Sequence, residues 1–416
     1  MAYTQSKTPM QRTIFVRLPA ELKNKYPEGT LLRVVKPLYG LAESGTYWFE
    51  TYSRHHQREL RMKPSAFDPC LLITNSEPFG ITGLQTDDTL NVGTIEFLAA
   101  EDKALAKAGI KARPQKILDK GTEDFNGSRI TVHDEGYGIS TTQKGQAEKL
   151  ELLDPKAPDM IKRFVEQRAR GAYIASICQP EAAFDYSTAA QHLEPGPKEA
   201  KALNARIKWQ LDNQARGLNY VDLDPQRLCL YVFVDGSFAN NKDLSSQIGY
   251  IIVLGNEEST GQDNEVRIKG NIIHWSSTKC KRVTRSVLAS EIYGMVQGFD
   301  VGYVIHHTIN TILERLSIPK APLVLCTDSF SLYQCLVQMG STNEKRLMID
   351  LMALRQSYEN REIDDIRWIH GTCNPADAMT KASPNEAMRT LVEDNQIDLR
   401  LEGWVKREMK DEFATT

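Results

Sequence analysis

The feature that most limits how this chain can fold lies in its last half, where apolar stretches of strand or helix length each deliver one acidic residue. Leu230, Tyr231, Val232, Phe233 and Val234 read as a buried strand closed by Asp235, with Gly236 and Ser237 as a turn signal. Residues 247–254 and 271–275 are β-rich and form an antiparallel meander with the first strand. Leu288, Ile292, Met295, Val296, Phe299 and Tyr303 then recur at helical spacing, which sets Glu291 beside the apolar stripe in the helix's first turns. Residues 322–326 are again strand-like, with Asp328 at their carboxyl end, the crevice position where α/β sheets place ligands, and a helix starts at Phe330. A last strand over 363–369 leads through the loop 370–376 to a helix opening at Asp377. The order is three strands, helix, strand, helix, a variable region, strand, helix.

Acids brought to one point repel, and they stay ionised together only if cations bridge them. Two Mg²⁺ (or Mn²⁺) ions held by carboxylates and phosphate oxygens meet that need, because such ions prefer hard oxygen ligands and keep several waters. One ion then generates a hydroxide nucleophile and the other stabilises the leaving 3′ oxygen of a nucleic-acid strand. In this reading Asp235 bridges, Glu291 and Asp328 hold one ion, and Asp377 holds the other. His370, just before Asp377, is placed to shuttle protons near neutral pH. Taken singly, each acid reads far more readily as a solvated surface residue than as a metal ligand; the reading rests on four acting together.

The segments FVDGSFANN (233–241), IIHWSSTKCKRVTRSVLASEIYG (272–294), VLCTDSFSLYQCL (324–336) and IHGTCNPADAMTK (369–381) resemble the ribonuclease H domain of copia-type LTR retrotransposon polyproteins, especially fungal ones. That resemblance spans about residues 226–385 and maps the family's metal ligands onto Asp235, Glu291, Asp328 and Asp377. It implies a mixed five-stranded sheet with flanking helices and a substrate that is an RNA·DNA hybrid, whose 2′-hydroxyls tell RNA from DNA. An integrase-like nuclease is the alternative on a related fold, disfavoured because no His-His-Cys-Cys module precedes the acids.

The front half resembles the reverse transcriptase of the same polyproteins. Residues 36–41 (KPLYGL) with Trp48, Phe49 and Glu50 are similar to the block that shapes the nucleotide site, except that Glu43 stands where the family usually has Gln. Thr86, Asp87, Asp88 and Thr89, between apolar segments, read as a hairpin tip and resemble the polymerase Y-x-D-D motif with Gln85 replacing Tyr; Asp87 and Asp88 are its candidate metal ligands, and an ordinary polar turn is the other reading. Residues 125–127, 137–140 and 142–147 are similar to the hairpin after the palm that grips a primer end, and 172–213 to the helical thumb and connection. Ala2 and Tyr3 match the end of the family's first palm block, so its first metal-binding Asp falls upstream of Met1; the expectation is an incomplete palm that holds primer-template without synthesis. The resulting fold class is α+β / α/β, with segments 1–154 (palm), 155–225 (thumb and connection), 226–385 (ribonuclease H-like) and 386–416 (a charged helical tail anchored by Trp404). Breaks are expected at 153–158 and 217–226, where polar and turn-forming residues cluster.

The formal charge is −3, from 51 Lys and Arg against 54 Asp and Glu, which excludes a general attraction for polyanions and leaves any nucleic-acid grip local. The candidate grip is Ser276, Ser277, Lys279, Lys281, Arg282 and Arg285, just before the Glu291 helix, with Lys345 and Arg346 second; a solvated basic face is the competing reading. Trp275 and Trp368 read as core. Seven scattered cysteines without a C-x-x-C pair fit reduced thiols, and His55-His56 and His306-His307 read as helix-surface pairs, so no zinc is assigned. No apolar run approaches about 18 residues, and the start is polar, which makes an intracellular, non-secreted protein the expectation.

Overall fold

The computed structural model describes residues 2–133, 138–342 and 344–405. Contacts divide the chain into two units, 1–117 and 118–416.

In the first unit β1 (Ile14–Arg17) pairs with β2 (Leu31–Val34), and β3 (Met62–Pro64), β4 (Leu71–Thr74), β5 (Gly80–Gln85) and β6 (Asp88–Gly93) form a four-stranded antiparallel sheet. Helices α1 (Ser44–Glu59) and α2 (Ile95–Lys107) carry the core, in which Trp48 and Tyr52 meet Leu105 and Ile110, while Phe97 packs on Met62 and Leu72. The Phe97 ring lies so close to the β5–β6 pair that a Cβ on Gly80 would stand 2.3 Å from it, which is why the strand carries a glycine there. The expected hairpin is present: Thr86, at φ +58°, and Asp87 make its two-residue turn, and Gln85 pairs with Asp88. His56 departs from the surface position expected of it. It is fully buried, with Nε2 2.9 Å from Glu101 Oε1, because the polar partners on α2 and β6 let a titratable ring lie on the apolar face of α1.

The second unit opens with β7 (Gly121–Phe125), β8 (Ser128–Val132) and β9 (Ile139–Gln143), followed by α3 (Met160–Ile177), α4 (Ala183–Ala189) and α5 (Pro197–Asp212), which bury Phe164, Ile174, Leu203 and Ile207. Asn126 and Gly127, both at positive φ, close the β7–β8 hairpin, the pairing that two-residue turns favour. Tyr137, assigned to the neighbouring hairpin, lies outside the described residues, as do residues 406–416. Within 217–226, expected as a break, β10 (Leu218–Tyr220) pairs with β9, because Leu218 has an apolar face to bury there.

Six strands follow: β11 (Leu228–Ser237), β12 (Gln247–Ser259), β13 (Glu265–Lys279), β14 (Leu323–Thr327), β15 (Asp365–Ile369) and β16 (Gln396–Gly403). Between them run α6 (Val287–Arg315), α7 (Phe330–Val337), α8 (Leu347–Glu359) and α9 (Glu386–Asp394). β11 pairs antiparallel with β12 and parallel with β14, the expected meander plus crossover. Its alternation serves two cores: Leu230, Val232 and Val234 pack with α6, α7 and α8, while Tyr231 and Phe233 pack with α9 and β16. Three expectations change. The first strand does not stop at Asp235 but runs through Gly236 and Ser237, which pair with Ile248 and Gln247. Asp377 sits in a short 3-10 turn, Pro375–Met379, whose Asn374 side chain accepts from the Ala376 amide, rather than opening an α-helix. The tail is not one helix anchored by Trp404, which is 43% exposed. Instead β16 pairs with β13 and β15, so the five expected strands become six that close on themselves. Ile397, Leu399 and Leu401 are buried while Asp398, Arg400 and Glu402 between them are exposed, a period of two that demands a sheet partner.

Candidate metal centre

Each acid reaches the centre from a different element. Asp235 is held inside β11 at 2% exposure. Glu291 comes from α6, whose amino end Ser286 caps by accepting from the Ala289 amide. That helix lies almost against the strand: a Cβ on Gly236 would stand 2.4 Å from the Ser290 carbonyl carbon, one on Gly294 2.9 Å from the Asp235 backbone carbonyl oxygen, and Ser290 Oγ donates to Gly236 O over 3.0 Å. Asp328 follows β14, and the 3-10 turn presents Asp377. Asn374 fastens that turn to the sheet, its Nδ2 donating to Val234 O over 3.0 Å.

Carboxylate oxygens of Asp235, Asp328 and Asp377 all lie within 4.8 Å of one another. Glu291 is outside that group but interacts electrostatically with all three, and its Oε2 is buried with no hydrogen-bond partner among the described residues. Burial first, then Asp235 and Asp328, push the Glu291 carboxyl well above the usual range. Burial and Asp235 likewise raise Asp328 to about 6 and Asp377 to about 7. Thr380 Oγ1 donates to Asp235 Oδ2.

The residue that sequence reasoning left without a role is Lys381. Its Nζ stands 2.9 Å from Asp377 Oδ1 and 3.7 Å from Asp235 Oδ2. Burial works to lower this ammonium, and Asp235 with Asp377 more than offsets it, so the net shift is upward. The four-residue spacing from Asp377 was the available signal, since residues so spaced can share a face of a helical turn.

The other candidates fall in several places. His370 Nδ1 is 2.8 Å from Thr372 Oγ1, in the loop where a Cβ on Gly371 would lie 3.3 Å from Asp328 Oδ2. Ser277 Oγ donates to Met379 O over 2.5 Å and accepts from Gln247, and Ser276 hydrogen-bonds with Tyr250, so both serines serve the fold. Lys279 pairs with Asp243, and Arg282 pairs with Asp350 at 2.9 Å and covers the Tyr293 ring. Lys281, Arg285, Lys345 and Arg346 are exposed. Trp275 and Trp368 pack against the two cores, as expected, their indole nitrogens donating to Ala175 O and Asp328 O. In the first unit Asp87 and Asp88 are exposed, with Tyr39 Oη 3.3 Å from Asp87 Oδ2. All seven cysteines are free. Among the described residues no helix is long and apolar enough to cross a membrane.

No family profile matches the chain. It is similar to the transposon Ty1-NL2 Gag-Pol polyprotein of Saccharomyces cerevisiae, at 23% identity over 92% of this chain and 22% of that one, so it spans about a fifth of the polyprotein's length. Among solved structures it is similar to ribonuclease H1 of the archaeon Halobacterium salinarum, with 18% identity, 39% of this chain and 98% of that one covered and a TM-score of 0.25. It is also similar to the prototype foamy virus protease-reverse transcriptase, with 11% identity, 89% and 63% covered and a TM-score of 0.22. The chain is thus similar along nearly its whole length to one stretch of the yeast Ty1 Gag-Pol polyprotein.

Proposed function

We propose that this chain is a divalent-metal-dependent ribonuclease H that hydrolyses the RNA strand of RNA·DNA hybrids. The observation that carries the reading is the convergence of Asp235, Asp328 and Asp377 beside the buried, unpartnered oxygen of Glu291. Such an oxygen costs stability unless something binds it, and an all-carboxylate donor set in which burial and neighbouring charge raise Glu291, Asp328 and Asp377 fits hard cations such as Mg²⁺ or Mn²⁺. Two such ions, when bound, supply an activated water and neutralise the leaving oxygen of an in-line displacement.

The chain's own residues do the rest. Asp235 would be the shared ligand, Glu291 and Asp328 would complete one site, and Asp377 would serve the other. Burial of Asp235 and Glu291 excludes competing water and holds their oxygens in place. His370, with Nδ1 engaged by Thr372, keeps Nε2 to take up or return a proton. Lys281 and Arg285, exposed before α6, contact phosphates, with Lys279 and Arg282 exchanging Asp243 and Asp350 for phosphate oxygens. Full-length protein with Mg²⁺ should cut a labelled hybrid, and Asp328→Asn should abolish the cut; no cleavage at any Mg²⁺ concentration refutes the proposal.

The hairpin bearing Asp87 and Asp88 favours a second reading for residues 1–154, a reverse-transcriptase palm. It is expected to bind primer-template, and failure of this chain to bind it would overturn that expectation.

A further inference from the structure

The proposed metal centre contains a cation of its own. Lys381 leaves the 3-10 turn and sets its ammonium 2.9 Å from Asp377 and 3.7 Å from Asp235, the two carboxylates between which the second ion would have to sit. A divalent ion and an ammonium cannot share that space, since both are positive and both need the same oxygens. Nor is the ammonium locked in place. The Lys381 side chain is 41% exposed, and it lines a cavity of about 490 Å³ together with Ala378, Ser383, Asn385 and Trp209. A four-carbon stem with freely rotating bonds can swing into that space.

We infer that Lys381 is a resident counter-cation of the acid cluster, exchanged for the second metal ion when that ion binds. In the metal-free protein it neutralises Asp377 and Asp235 and limits their repulsion with Asp328 and Glu291. On metal binding it withdraws into the cavity, so the second site is filled at the expense of an ion pair and is intrinsically weaker than the first. The exchange depends on the ribonuclease reading, because it presumes that an ion occupies the cluster, but its test does not depend on cleavage.

The experiment compares full-length protein with Lys381→Met, which keeps length and loses charge, and Lys381→Arg, which keeps charge. Mn²⁺ binding is followed at pH 8 by the EPR signal of free Mn²⁺, without nucleic acid, and thermal unfolding is followed in EDTA. K381M should bind the second Mn²⁺ about tenfold more tightly, a difference of roughly 1.4 kcal/mol, and should melt at a lower temperature in EDTA; K381R should gain no affinity. A merely structural lysine would move both quantities in the unfavourable direction. Equal or weaker Mn²⁺ binding by K381M, or an undiminished melting temperature in EDTA, overturns the exchange and leaves the ribonuclease proposal standing on hybrid cleavage. Failure of both proteins to bind Mn²⁺ overturns the two together.

Discussion

Replacing Asp328 by Asn makes the cost of the acid cluster measurable. Burial and the neighbouring Asp235 raise the Asp328 carboxyl from 3.8 to about 6, so the folded protein holds its proton more tightly than the unfolded chain does. A group shifted this way contributes stability that is complete below about pH 4 and is lost as pH rises through about 6. At about 1.4 kcal/mol per pH unit the shift corresponds to roughly 3 kcal/mol lost by pH 8. Asn has nearly the same shape and no charge, so metal-free D328N should be more stable than the parent at pH 8 by about 2–3 kcal/mol, with the advantage vanishing near pH 4. The assay is urea unfolding in EDTA across pH 4 to 8. Mg²⁺ should then narrow the gap at pH 8, because it stabilises the parent more than the variant. An advantage that is absent at pH 8, or equally large at pH 4, would refute the reasoning that the cluster is strained by its own charge.

Other perturbations probe the supports. Gly236→Ala forces a Cβ within 2.4 Å of the Ser290 backbone, so α6 must shift and carry Glu291 with it; hybrid cleavage should fall sharply and stability by about 1–3 kcal/mol or more in urea unfolding. His56→Ala removes one partner of the buried Glu101, which also accepts from Tyr52, Asn91 and Gln115, and should cost the first unit roughly 3–5 kcal/mol by denaturant titration. Arg285→Ala should weaken hybrid binding about equally across sequences and reduce the slope of log affinity against log salt by about one; an unchanged slope would remove Arg285 from the phosphate contacts.

Much of this is legible in the sequence alone. The order from β11 to β15 followed from alternation and helical spacing, because each strand and helix must bury the face its own residues make apolar. The Asp87 hairpin followed from a polar tip between two apolar segments, and the β7–β8 turn lies at Asn126 and Gly127, residue types that accept positive φ. The errors share a cause. Residues 396–403 alternate as a strand does, yet their many charges read as a solvated helix until β13 and β15 offered edges to pair with. His56 looked like a surface residue because nothing local announces that Glu101, on another helix, will satisfy it.

By itself the sequence determined which residues are acidic, which faces are apolar and in what order the elements come, since these depend on neighbours a few positions apart. Tertiary structure decided how near the acids stand, that α6 rests on β11 at two glycines, that β16 closes the sheet, and that Lys381 lies between Asp235 and Asp377. Most of those are distances between residues tens to more than a hundred positions apart, and only packing, which rewards the one register that buries both cores, can set them.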